Sequence, residues 1–258
     1  MKKSGVGMRL YLQGLDLSGD VGAINTIRSS AAVLDVTAIS SSAMERIYGL
    51  RDGEISFNVF FNDLGSANRA GATGSSFLSL SALPSTDVLA MVTMGTTLGD
   101  SAFCISAKQV NYDWTRNQDG SFVGTVQLLG ATGVTPMEYA VLLLAKTTHA
   151  SATDATGIDF GAQTTSGAVG FLQHFSAASG TVEYDIEDSS DSTNGADGTW
   201  ANLLAFSDVA TPYAAIAQRV EVSGTVERWT RAATNGTFTN AVLAMALRRR
   251  ASTDYDAA

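Results

Sequence analysis

The side chains able to do chemistry in this chain are few and scattered. Asp185, Glu187, Asp188, Asp191 and Asp197, with Asn194 among them, form its densest acidic stretch. They carry the oxygens that a hard cation such as Ca²⁺ takes from a flexible loop. The spacing does not suit an EF-hand, because Asp191-Ser192-Thr193-Asn194-Gly195 lacks the alternation of ligands and the terminal Glu. A hydrated acidic loop without metal is the expectation. His149 and His174 belong to no triad, and Cys104 sits in an apolar run that reads as a buried small side chain rather than a thiolate. Gly130-Ala131-Thr132-Gly133 is followed by neither Lys-Ser nor Lys-Thr, and no strand and helix frame it, so it is not a phosphate loop. Paired-carboxylate hydrolysis would need two acids at catalytic separation in one pocket, which only the fold decides. The residues therefore predict no catalytic group and no cofactor. Arg248, Arg249 and Arg250 form a basic cluster with an abundance of acids to meet, in the second half or on another copy of the chain.

The elements that would position these groups are strands. Twenty-five glycines, three prolines and abundant Ser, Thr, Ala and Val in 258 residues indicate many short strands joined by tight turns. In the first half the pattern predicts strands at 8–13, 19–27, 33–37, 54–62, 88–94, 102–114 and 122–129. Of these, 102–129 form a long hairpin with an irregularity before Val110 and a turn at Asn117, Asp119 and Gly120. One short helix is predicted over 75–83, capped by Ser75 or Ser76 and stopped by Pro84. Residues 38–53 read as a loop. The apolar run at 139–145 suits a buried strand and is too short to cross a bilayer. Residues 146–157 lack large apolar groups and read as a linker. Beyond it, strands at 168–175, 181–187, 219–222, 228–232 and 241–247, with a polar loop at 188–198, read as a second β-sandwich. The fold class is thus all-β, mainly strand with one short helix, in two domains, 1–145 and 146–258.

Charge and cysteine content narrow the classes further. The net charge is −9, and no Lys or Arg occurs between Lys146 and Arg219. Such a surface repels phosphates, so sequence-specific nucleic-acid binding is not expected. A lone cysteine forms no intrachain disulfide and suits a reducing compartment. The basic amino terminus is not followed by an apolar core, so neither a secretory leader nor a membrane partner is expected.

The most informative stretch is 44–63. From Glu54 onward, Ile55, Phe57, Val59 and Phe61 fall on one face of an extended chain, and Glu54, Ser56, Asn58, Phe60 and Asn62 on the other. Phe60, on the polar side, is a candidate either for contact with a neighbouring subunit or for packing under the helix. Just before this strand, Glu45, Arg46, Arg51 and Asp52 surround Ile47, Tyr48 and Leu50. This loop and strand resemble those of the tail tube proteins of long-tailed bacteriophages. The second half is similar to the extra carboxy-terminal domain of some of them, through 182–191, Trp200-Ala201-Asn202-Leu203 and 219–229.

The resemblance implies a structural virion protein whose first domain, a two-sheet sandwich or barrel, polymerises into rings, hexameric by resemblance. The rings stack into the tube through which DNA passes unbound, and the second domain decorates its outside. The implied partners are further copies of the chain, a tape-measure protein and tail terminator and tip proteins. The implied location is the virion tail, with the host cytoplasm during assembly. Glu45, Arg46, Tyr48, Leu50, Arg51 and Asp52 are the subunit-contact candidates, charges fixing register and the two apolar residues supplying affinity. The competing reading is a cell-surface or carbohydrate-binding β-sandwich protein that stacks sugars on Trp200 and Trp229.

Overall fold

A computed structural model describes residues 4–61, 87–131, 137–210 and 215–251. Its elements are strands. The first half contains β1 (Arg9–Leu12), β2 (Leu15–Asp16), β3 (Val21–Asp35), β4 (Arg46–Phe60), β5 (Val88–Thr93), β6 (Ser101–Gln109), β7 (Asp113–Arg116), β8 (Phe122–Gly130) and β9 (Glu138–His149). The second contains β10 (Thr153–Asp154), β11 (Ile158–Asp159), β12 (Ala168–Ser176), β13 (Ser179–Ser189), β14 (Ala201–Ala205), β15 (Val209–Ala210), β16 (Ile216–Val222), β17 (Trp229–Thr239) and β18 (Ala241–Arg249). The fold is all-β. The helix expected over 75–83 lies outside the described residues.

Twelve strands form one sheet in the order β16-β12-β18-β9-β6-β5-β1-β2, with β8 branching from β6 and carrying β4 and β7, and β3 beyond β4. The remaining six form a second sheet around β13 and β17. Of the hairpin expected over 102–129, the part from Ala107 onward is present, β8 pairing with the end of β6 and with β7, whereas residues 102–106 pair with β5 and β9 instead. Gln109 pairs with Leu128 and Asp113 with Thr125, so one side holds an extra residue where the sequence shows its irregularity.

Alternation along the long sheet sorts side chains into three cores. Leu172, Leu243, Met245 and Leu247 point toward Val182, Tyr184 and Ile186 of the smaller sheet. Leu10, Ala90, Val92, Ile105 and Ala107 face Ile55, Phe57, Val59, Val126 and Leu128. The opposite faces of both regions meet each other through Tyr11, Leu89, Met91, Cys104, Phe171 and Phe175, with Ala102, Ala140, Ala244 and Ala246 between them. Small residues there let the sheet curl tightly without leaving voids. The curl brings Gly14, in the turn between β1 and β2, against the backbone of His174 and Ile216.

Three boundaries differ from the sequence reading. Residues 19–27 and 33–37 belong to one strand, β3. Residues 46–53, expected as loop, form the first half of β4 and pair with β3 from Ser29↔Gly53 to Asp35↔Arg46. The apolar alternation that marks strands arises from burial on one face, and this ribbon buries neither. Residues 146–149, expected as linker, complete β9 and pair with β18 through Leu243↔Thr147, Val242↔Thr148 and Ala241↔His149. Backbone pairing holds them in place of large apolar side chains, so the long sheet runs through position 145/146.

Candidate assembly interface

The outer half of the β3/β4 hairpin stands away from the rest of the sheet. β4 pairs with β8 only from Glu54 to Phe60, so residues 28–35 and 46–53 form a ribbon of two strands, closed by a loop over 36–45. Its root is pinned by the Arg28–Glu54 ion pair at 2.6 Å, with Gln127 Nε2 donating to Glu54 Oε1 at 2.8 Å. Its tip is tied by Asp35, whose carboxylate accepts from the amide of Thr37 at 2.9 Å and from its hydroxyl. The Glu45 amide donates to the same hydroxyl at 2.8 Å. These hydrogen bonds hold the Asp35 carboxyl below the usual carboxylate range. Gly49 permits close cross-strand packing, since a Cβ there would lie 3.2 Å from that of Ala32.

All six expected contact residues lie on this arm or its tip, and all are exposed. Arg46 pairs in register with Asp35, Tyr48 with Val33, Arg51 with Ala31 and Asp52 with Ser30. Tyr48 is 77% exposed and Leu50 89%. The sequence reading missed their companions Val33, Leu34, Val36, Ile39, Met44 and Ile47, every one an exposed apolar side chain. The available signal was the symmetry of apolar residues on both sides of the turn at 38–43. Phe60 lies further in, its ring over Gly22, where a Cβ would approach it to 2.7 Å.

The other candidates are engaged elsewhere. Asp185 accepts from Asn202 and Asn235, Glu187 pairs with Arg231, and Asp188 accepts from the Glu227 amide. Asp191 accepts from Ser189 and Thr199, and Asp197 from Ser192 and Thr193, which lowers both carboxyls. Asp185, Glu187 and Asp188 thus lie on β13, and only the stretch after Ser189 is a loop braced by its own hydrogen bonds. Among the described residues no three His, Cys, Asp or Glu side chains are grouped to hold a metal. Cys104 is buried and its thiol raised by desolvation, with Glu138 adding to the effect. Trp229 is buried, and one face of the half-buried Trp200 is covered by Arg231 at 4.4 Å. Gly130 ends β8, and residues 132–136 lie outside the described ones.

The three arginines find partners within the chain. Arg248 lies 3.4 Å from Glu138, Arg249 donates to the carbonyls of Ala162 and Val226, and Arg250 pairs with Glu221 at 2.8 Å. Arg219 adds a two-pronged contact to Glu138 at 2.6 and 3.0 Å. Glu138 of the first half is thereby locked to two strands of the second.

No protein-family model matches the chain, and no curated protein does. Among solved structures, it is similar to a chain in the virion of a native gene transfer agent particle. That likeness has 16% identity and a TM-score of 0.39, covering 54% of this chain and 98% of that one. A chain in the tail of an empty gene transfer agent particle with C6 symmetry gives 16% and 0.36, covering 51% and 95%. One in the activated baseplate of phage p2 gives 6% and 0.31, covering 94% and 98%.

Proposed function

We propose that this protein is a structural subunit of a virion tail that assembles with copies of itself through the β3/β4 arm. The observation that carries this reading is the arm itself: a hairpin anchored by a well-packed core that nonetheless holds Val33, Leu34, Ile39, Ile47, Tyr48 and Leu50 in solvent. Contiguous apolar surface of this kind is characteristic of protein interfaces. The charges of Glu45, Arg46, Arg51 and Asp52 around it supply register between copies. A second copy is the occupant the pattern suits, because arm charges of both signs allow self-complementary pairing.

In this reading residues 1–145 form hexameric rings that stack into a tube, and residues 146–258 decorate its outer surface while sharing the long sheet with the first unit. The acidic balance of the chain suits a conduit for DNA, since carboxylates cannot make the contacts that would retain a passing duplex. A tape-measure protein in the lumen and terminator and tip proteins at the ends complete the set of partners. The subunit is made in the host cytoplasm and ends in the virion tail. No step of bond chemistry is assigned to it. Negative-stain electron microscopy of the purified chain at high concentration tests the reading: hollow tubes or stacked rings are expected, and a uniform population of single particles at every concentration contradicts it.

A further inference from the structure

The register along the outer arm is broken once. Ala31 pairs with Arg51 and Val33 with Tyr48, so Gly49 and Leu50 both stand opposite Ala32, a β-bulge with one extra residue on β4. Two observations fix how the side chains turn there. Ala31, Tyr48 and Arg51 line a common notch, although residues three apart on a regular strand point to opposite faces. A Cβ on Gly49 would lie 3.2 Å from that of Ala32 and 3.3 Å from Cγ of Leu34, on the other side. Leu50 precedes Arg51 and so turns to that other side too, with Leu34 and its register partner Ile47.

The bulge therefore parts the two most exposed apolar side chains of β4. Val33 and Tyr48 stand on the face that continues the core side of Ile27 and Ile55, with Asp35, Arg46 and Arg51 around them. Leu34, Ile47 and Leu50 stand on the reverse face, which carries Arg28 and Glu54 at its root. All five apolar side chains are at least half exposed. The paired part of the arm on β3, residues 28–35, is ~26 Å long at ~3.3 Å per residue and ~10 Å wide. One face thus offers roughly a third of the ~800 Å² per partner that a stable interface buries, so an assembly held by the arm draws on both. The two faces look in opposite directions and differ in kind, one aromatic with charges of both signs, the other aliphatic. Closing a ring and stacking it likewise take contacts in two directions. We infer that the arm lies between two further copies of the chain, one packed on Val33 and Tyr48 and the other on Leu34, Ile47 and Leu50, with the bulge at Gly49 and Leu50 assigning side chains to each contact. The inference rests on the assembly role proposed above.

Single aspartates on each face test this. Val33→Asp, Tyr48→Asp, Ile47→Asp and Leu50→Asp are compared with wild type in the full chain by sedimentation velocity and negative-stain electron microscopy, and unfolding midpoints check that each variant is folded. Each face carries two of the substitutions, so a variant that fails to fold is replaced by its neighbour on the same face. The expected result is a loss of stacked tubes of about tenfold or more for each variant. The variants are expected to fall into two classes, Val33→Asp with Tyr48→Asp and Ile47→Asp with Leu50→Asp, one class halting as free rings and the other before the ring closes. Leu50→Asp grouping with Tyr48→Asp, apart from Ile47→Asp, overturns the assignment made by the bulge. One halted species common to all four variants, or a face whose substitutions assemble as wild type does, overturns the contact with two copies while leaving the assembly reading standing. Wild-type chain that remains monomeric at high concentration overturns the assembly reading, and the inference with it.

Discussion

The Gly14 amide donates a hydrogen bond of 2.7 Å to Oε1 of Gln173, a fully buried side chain 159 positions further along the chain. Nε2 of the same amide donates to the Leu89 carbonyl at 3.0 Å, so Gln173 fastens the β1–β2 turn and β5 to β12. Gln173→Leu leaves the buried Gly14 amide unpaired, at about 1–3 kcal/mol, while the Leu89 carbonyl still accepts from the Gln13 amide at 3.0 Å. Urea unfolding is expected to show a loss of about 1–3 kcal/mol. Gly14→Ala should cost at least as much, because Gly14 has φ 76° and an added Cβ would lie 2.4 Å from the His174 carbonyl. Unchanged unfolding midpoints for both variants would show that the curl of the long sheet does not depend on this contact.

Glu138 provides the second fastening. Its carboxylate is 1% exposed and faces both Arg219 and Arg248. Removing one partner of a buried ion pair costs about 3–5 kcal/mol, since the remaining charges lose their compensation. Glu138→Leu should therefore destabilise by that amount, and Arg248→Leu by much less, because Arg219 retains the two-pronged contact. Thermal or chemical denaturation of the two variants measures the difference, and equal losses would refute the assigned hierarchy.

The His174 ring packs against Tyr184, its Nδ1 bonded to the phenol, and burial pushes its pKa down from 6.5 to about 4. The unfolded chain therefore takes up a proton there before the folded chain does. Stability from this group is present above pH 6.5 and is lost as pH falls toward 4, by up to about 3 kcal/mol. His149, also lowered by burial, adds in the same direction. Denaturation midpoints of wild type should fall between pH 6.5 and 4, and His174→Gln should flatten that fall. A slope that the substitution leaves unchanged would assign the effect to other groups.

What the sequence revealed follows from where burial imposes a pattern. Where a strand has at least one face in a core, as at 54–60 and 88–93, its residues alternate or run apolar and the pattern is legible. The arm escaped because both of its faces are wet, leaving no period to read between Arg46 and Gly53. Thr147, Thr148 and His149 escaped for a related reason, being held by backbone pairing to β18. The six candidate contact residues rest on their resemblance to a known loop. Their apolar companions on β3 became visible only when register placed Val33 opposite Tyr48 and Leu34 opposite Ile47.

The central claim, that the arm joins copies of this chain, is tested most directly by sedimentation velocity of wild type beside Tyr48→Asp/Leu50→Asp. Both side chains are exposed, so the double substitution should change folding stability by less than about 0.5 kcal/mol per site. The account predicts fast-sedimenting species for wild type at high concentration and their loss in the variant, with unfolding midpoints unchanged. Large species of equal abundance in both proteins would contradict it.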